Sequence, residues 1–248
     1  MKIISSRQNA WVKRLREAIR EHNDEIVIEG PKPVADAVAG GWKPIAIIIP
    51  TGQSLLTIPR PEAAPGAMFL QFYPEVYDAV AETRSPQGVI GLFERPRSTM
   101  EEVLARRDSI AVALDGVQDP GNVGTIVRLA AAFDASGVLL LPGCADPFAP
   151  KAIRASAGAI LGVRVAEVTA QELIGAGRPL YAADAGAAPA DPPAHDAVLV
   201  FGNEGNGVSA EIAAHARPLA IGMSGRVESL NVASSAAILL ARSFALRG

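Results

Sequence analysis

LDGVQDPGNVGTIVRLA, residues 114–130, is the stretch from which the rest of the chain can be read. It begins where an apolar run, IAVAL (110–114), ends. It then crosses a turn of Gly, Asp, Pro and Asn and continues as a helical pattern through 133. A strand that feeds a helix in this way is the repeating unit of a parallel sheet covered on both faces. Gly121 and Gly124 are expected to bracket a tight strand-to-helix turn, with Arg128 one turn into the helix. Helix N-termini attract anions through free N–H groups, so Arg128 and this turn could meet a phosphate or a hydroxyl. A glycine turn beside an ordinary surface arginine explains the same residues. The G-x-G-x-x-G of a dinucleotide site and the G-x-x-x-x-G-K-[ST] of a P-loop are both absent, which argues against a dinucleotide-dependent enzyme.

The alternation continues downstream. GVLLLP (137–142), VRVAEV (163–168), PLYAAD (179–184), AVLVFG (197–202) and PLAIGM (218–223) read as strands. Helical stretches fall at 150–160, 170–176, 208–215 and 229–246. Ligands on such sheets bind beyond the carboxyl ends of the strands. Two further polar blocks lie at such ends. In FGNEGNGVS (201–209), three glycines within six residues allow close backbone approach to a ligand, and Glu204 sits among them. A plain Gly/Asn turn ahead of a helix capped near Ser209 is the alternative. In IGMSGRVESLNVASSAA (221–237), Ser229 or Asn231 would cap the last helix. Capping alone leaves the density of polar groups after an apolar strand unexplained.

Before residue 95 the elements are shorter. A helix over Asn9–Ile19 with Trp11, Leu15 and Ala18 on one face is followed by EIVIEG (25–30), a helix in PKPVADAVAGG (31–41), IAIIIP (45–50) and MFLQFY (68–73). YPEVYDAVAET (73–83) reads as helix and PQGVIGLFE (86–94) as strand, which together make a small α/β sandwich. ERPRSTMEEVLARR (94–107) reads as a linker and a short helix capped by Ser98 or Thr99. The expected division is therefore 1–95, a linker with a short helix over 96–107, and 108–248.

Net charge is −3, but its distribution is uneven. Lys2, Arg7, Lys13, Arg14, Arg16 and Arg20 face Glu17 alone within the first twenty residues. That cluster suits phosphate contact, and it equally suits a solvated helix face. Cys144 is the single cysteine, which excludes an intramolecular disulfide and a Cys-rich zinc site. A small apolar filler is its simplest role. His22, His195 and His215 form no metal-ligand spacing, and no G-x-S-x-G elbow occurs. With no apolar run long enough for a bilayer and no signal-peptide pattern, a cytoplasmic protein without membrane or metal is expected.

The three blocks, in order, resemble the SpoU (TrmH-like) RNA 2′-O-ribose methyltransferases of the SPOUT class. Asn122, Gly124, Ile126 and Arg128 match its N-x-G-x-I-x-R motif, and KAIRASAGAILGVRV (151–165) matches the intervening K-x-x-R-x-S-x-G-A stretch. The resemblance covers about 108–248. SSRQNAWVKRLRE, VIEG and SPQGVIGLF resemble, more loosely, a ribosomal-protein-like RNA-binding domain often fused to the family. PKPVADAVAGG is less basic than the family's corresponding segment.

The resemblance implies an α/β parallel-sheet SPOUT domain with a trefoil knot at its C-terminal edge, behind a smaller α/β RNA-binding domain. It implies S-adenosylmethionine as cofactor, RNA (ribosomal RNA first) as partner, and a homodimer. A close-packing face of small residues, Ala233, Ser234, Ala236 and Ala237, is available for the dimer contact. Phe201, Gly202, Asn203, Ile221, Met223 and Leu230 would line the adenosine pocket, largely through backbone groups. Arg128 would act on the ribose 2′-hydroxyl, with Asn122, Glu204, Ser229 and Asn231 positioning substrate and cofactor. A non-catalytic RNA-binding or ribosome-associated protein on the same scaffold is the alternative, and it predicts RNA affinity without cofactor affinity.

Overall fold

The computed structural model describes residues 1–21, 24–53, 64–81 and 88–247. His22, the end of the 73–83 helical stretch and the start of the 86–94 run lie outside the described residues. The chain divides into two units, Met1–Pro96 and Arg97–Gly248.

The first unit holds β1 (Lys2–Ile4), α1 (Ala10–Glu21), β2 (Glu25–Glu29), α2 (Pro31–Ala39), β3 (Pro44–Pro50), β4 (Met68–Phe72), the one-turn α3 (Pro74–Tyr77) and β5 (Ile90–Glu94). Its strands order as β1-β4-β3-β5-β2, with β1, β4 and β3 parallel and β5 antiparallel to both its neighbours. β3 is buried on both faces because its side chains alternate. Ala46 and Ile48 join Val12, Leu15 and Ala18 of α1 in one core, while Ile47 and Ile49 are equally buried. The face of α1 is thus Val12, Leu15 and Ala18, with Trp11 only partly buried at its margin. β1 had no alternating pattern long enough to announce it. It exists because it pairs with β4, Lys2 against Leu70 through Ile4 against Phe72.

The second unit begins with α4 (Met100–Val103). Thr99 caps it, with its side chain on the Glu102 N–H and the Glu102 carboxylate on the Thr99 N–H. The unit continues through β6 (Ala111–Asp115), α5 (Pro120–Ala132), β7 (Val138–Leu140), α6 (Pro150–Ala155), β8 (Val165–Glu167), α7 (Ala170–Gly175), β9 (Leu180–Ala183), β10 (Val198–Gly202), α8 (Ala210–Ala213), β11 (Ala216–Leu219) and α9 (Val232–Ala245). All five strand pairs are parallel, in the order β11-β9-β10-β6-β7-β8. One face buries Ala111, Ala113, Val198 and Val200 against Val103, Leu173 and Ile212 of α4, α7 and α8. α5 and α9 pack against each other and against the sheet.

Three departures from the sequence reading have local causes. Strand β11 ends at Leu219, not Met223, because β9 ends at Ala183 and Ile221–Met223 have no strand to pair with. α6 stops at Ala155, since Ala157 (φ 50°) and Gly158 (φ 87°) are left-handed, and the chain resumes as a 3-10 turn over Ala159–Leu161. Ala233 and Ala236 of α9 are buried within the unit, so the small-residue face expected for a dimer contact is half consumed by intramolecular packing.

Candidate active site

Gly202 at the end of β10 sits in register with Asp115 at the end of β6, so the loops after both strands leave side by side. From β6 the chain departs through α5 to β7, and from β10 through α8 to β11, on opposite sides. Central neighbours whose connections diverge open a crevice at their carboxyl ends, the usual ligand position in such sheets.

Polar groups knit the two loops together. The Asn203 amide donates to the Gly116 carbonyl (2.8 Å), and the Ser209 N–H donates to the Asp115 carboxylate (2.7 Å). Asn203 Oδ1 accepts from the Gly205 and Asn206 N–H groups, while Asn203 and Gly207 exchange backbone bonds of 2.9 Å. The loop folds back so tightly that a Cβ at Gly202 would lie 2.1 Å from the Gly207 carbonyl carbon. Asn203 therefore shapes the loop, its Oδ1 accepting two bonds and its Nδ2 donating one. Gly116 (φ 68°) turns the chain out of β6 in the left-handed region that favours glycine.

Across this crevice runs a chain of side-chain hydrogen bonds. Asn122 Nδ2 donates to Glu204 Oε1 (2.8 Å), and Asn231 Nδ2 donates to Asn122 Oδ1 (3.3 Å). Asn231 is also the N-cap of α9, accepting from the Ala233 (2.9 Å) and Ser234 (3.3 Å) N–H groups. Capping and site-building are thus two halves of one side chain. Burial tends to raise the Glu204 pKa. The Asn122 amide and the N–H groups of Glu204, Gln118 and Asp119 outweigh it and hold the carboxyl below its ordinary value. Glu204 is therefore ionised at neutral pH and only accepts hydrogen bonds.

Three of the five expected catalytic residues, Asn122, Glu204 and Asn231, are joined in this way. The side chains of Arg128 and Ser229 are exposed and make no hydrogen bond or ion pair with any described residue. Of the expected cofactor residues, Phe201 is 1% exposed, so only its backbone can meet a ligand. Gly202 is buried, Ile221 and Met223 are half-buried, and Leu230 is 36% exposed.

The glycines of the first block have a different purpose from the one the sequence suggested. Gly121 and Gly124 lie inside α5, not around a turn before it. A Cβ at Gly124 would come within 2.2 Å of the Ala152 carbonyl oxygen, so this glycine lets α5 and α6 touch backbone to backbone. A Cβ at Gly121 would sit 2.6 Å from Asp119 Oδ1. Asp119 is a further residue of this site. It caps α5, its Oδ1 accepting from the Asn122 N–H (3.0 Å), and its Oδ2 pairs with Lys151 Nζ (2.6 Å). Asp followed by Pro at a helix start is a legible N-cap signal. Asp115 carried no such signal, because its partner Ser209 is 94 residues away. Cys144 donates to the Leu114 carbonyl at 3.2 Å, and burial pushes its thiol pKa up, as suits a filler.

Fold and site together define a class: an α/β domain in which loops from β6, β10 and β11 converge at the carboxyl end of a parallel sheet. Residues 109–241 match the model of the SpoU rRNA Methylase family. Along its full length the chain is 31% identical to the 23S rRNA (guanosine(2553)-2′-O)-methyltransferase RlmP of Bacillus subtilis, covering 100% of both proteins. It is 32% identical to the mitochondrial rRNA methyltransferase 3 of Mus musculus over 56% of this chain, and it spans only 34% of that longer protein. An AdoMet-bound rRNA methyltransferase from Sinorhizobium meliloti superposes with a TM-score of 0.86 at 30% identity, covering 98% of this chain and 97% of that one. The chain belongs to the SpoU rRNA methylase family.

Proposed function

We propose that this protein is an S-adenosylmethionine-dependent methyltransferase acting on ribose 2′-hydroxyls of ribosomal RNA. The observation that carries the proposal is the Asn122–Glu204–Asn231 chain at the β6/β10 crevice, with Arg128 unengaged on the same helix as Asn122. Family membership and the full-length likeness to an rRNA 2′-O-methyltransferase support it.

The residues present fit the cofactor. Half-buried Ile221 and Met223 and part-exposed Leu230 offer apolar contact for an adenosine. The backbone of 221–223 has no strand partner and is free to hydrogen-bond its edges. Phe201 and Gly202 contribute backbone, and Asn203 holds the loop in shape. When bound, S-adenosylmethionine supplies an electrophilic sulfonium methyl. The protein's task is then to present a weakly acidic hydroxyl in line with it. Alignment of this kind supplies a large share of such rate enhancements. Arg128 would direct its planar guanidinium donors at the negative charge developing on the ribose oxygen. The hydroxyl proton passes to an RNA phosphate or to water. Asn122 bonds ionised Glu204 and Asn231 and keeps both in place, and Ser229 extends the polar rim toward the substrate.

The same reading includes a homodimer, a trefoil knot at the C-terminal edge, and RNA recognition by the first unit. Val227, Leu230, Phe244 and Leu246 are exposed apolar side chains on the second unit, and they favour a partner surface. The test is calorimetry with S-adenosylmethionine and its demethylated product, joined to mass-spectrometric mapping of ribose methylation in RNA from cells with and without the protein. Binding of both compounds and loss of one ribose methyl are expected. Heat from a nicotinamide dinucleotide and from neither of these would sink the reading.

A further inference from the structure

The K-x-x-R-x-S-x-G-A segment at 151–159 takes no part in the mechanism above, yet its first residue touches the site. Lys151 Nζ lies 2.6 Å from Asp119 Oδ2, while Asp119 Oδ1 accepts from the Asn122 backbone N–H at 3.0 Å. Both carboxylate oxygens are thereby committed, and the plane of the Asp119 carboxylate is fixed. Asp119 also supplies a backbone N–H to Glu204. Asn122 then reaches Glu204 through its Nδ2 and receives Asn231 at its Oδ1. One continuous path runs from Lys151 on α6, through the start of α5, to the loop after β10 and the cap of α9.

The surrounding backbone brings the two residues together. Gly124 leaves no room for a side chain between α5 and the Ala152 carbonyl, which fixes the start of α6 beside the start of α5. A Cβ at Gly121 would lie 3.3 Å from Lys151 Cε and 2.6 Å from Asp119 Oδ1, so only glycine leaves the pair its geometry. Stability is a poor explanation for the pair. The two side chains are 60% and 46% exposed, and ion pairs in such surroundings contribute little.

We propose that Lys151 is a positioning residue for methyl transfer: by holding Asp119, it sets the Asn122 amide that orients Glu204 and Asn231. This rests on the proposed function, in which those three residues serve the reaction. In the competing role, Lys151 would contact an RNA phosphate directly.

The roles separate in full-length protein assayed with labelled S-adenosylmethionine and ribosomal RNA from cells lacking the protein. Lys151→Met should lower kcat roughly tenfold, less than the about 10²-fold loss from an ångström of misplacement. Its KM for RNA and its cofactor affinity should stay within about twofold of wild type, because binding is not what is lost. Lys151→Arg keeps a cation against Asp119 and should recover most of kcat. Adding Asp119→Asn to Lys151→Met should cost little more than the worse single change, since both break one path. A defect confined to KM, or a Lys151→Arg variant as slow as Lys151→Met, overturns the proposal. A second readout needs no activity. The Asn122 side-chain amide resonances of the free protein should move in Lys151→Met and return in Lys151→Arg, and unchanged resonances also overturn it. A wild-type protein that methylates none of these RNAs contradicts the proposed function, while the amide resonances still decide whether Lys151 positions Asn122.

Discussion

Arg128 and Asn122 sit six positions apart on α5 and are used differently. The Asn122 side chain is engaged at both its ends, by Glu204 and Asn231. Arg128 is exposed and engages no described residue, which leaves its guanidinium available to a substrate. Arg128→Ala should therefore preserve the fold and most cofactor affinity, because the proposed cofactor loops follow β10 and β11. Methyl transfer should fall by about 10²–10³, the usual loss when one group stabilising a developing oxyanion is removed. Arg128→Lys should recover little, since a point charge does not reproduce a planar fork that holds phosphate and hydroxyl together. Single-turnover transfer at saturating RNA isolates the chemical step. A rate for Arg128→Ala within about threefold of wild type would remove Arg128 from the mechanism.

At the scale of elements, strand and helix ends are set by side chains from elsewhere in the chain. Asp134, just past α5, shows this most fully. Arg106 binds both its carboxylate oxygens (2.7 and 2.8 Å), and Arg247, beyond α9, reaches its Oδ2 at 3.2 Å and its backbone carbonyl at 3.1 Å. The Arg106 hydrogen bonds, against opposing burial and with added charge from Arg106 and Arg247, hold the Asp134 carboxyl below its ordinary value. A depressed carboxyl stabilises the fold above its unfolded pKa, about 3.9, and that stabilisation is lost as pH falls through the folded value. Asp134→Asn should thus lower the thermal midpoint at pH 7 modestly, because the site is half exposed and such pairs contribute at most about 1 kcal/mol. The gap between variant and wild type should close as pH is taken below about 4. Asparagine tolerates the left-handed φ of 50° at this position, so the variant isolates the charge. Melts followed by circular dichroism at both pH values check this, and a gap that widens in acid would contradict it.

At the scale of the whole molecule, the boundary at Pro96/Arg97 separates the basic N-terminal cluster from every residue of the candidate site. The helix expected inside a linker instead gives Val103 to the core of the second unit. Residues 97–248 carry their own sheet, core and crevice, so this portion alone should still bind S-adenosylmethionine with near wild-type affinity in calorimetry. It should lose methylation of rRNA, and its deficit against the full chain should be largest at low salt and narrow as salt is raised if phosphate contacts reside in the first unit. Full-rate methylation by 97–248 would place RNA recognition in the second unit instead.

The sequence by itself determined the alternation of strands and helices in residues 108–248, the parallel sheet, and the three polar blocks at strand ends. These are local signals, namely apolar runs bounded by Gly, Asn, Asp and Pro, and each can be read within a window of about 15 residues. It also pointed to Asn122, Glu204 and Asn231, though not to the bonds among them. Only the tertiary structure decided which strands became neighbours. That choice set β6 against β10, brought Asn203 to Gly116 and Ser209 to Asp115, and closed the path from Lys151 to Asn231. The end of β11 at Leu219 and the burial of Ala233 and Ala236 belong to the same category. Each depends on a partner dozens of residues away. A hydrogen bond or a buried face of that kind leaves no periodicity in the sequence, because it is fixed by the geometry of packing and not by the order of the residues around it.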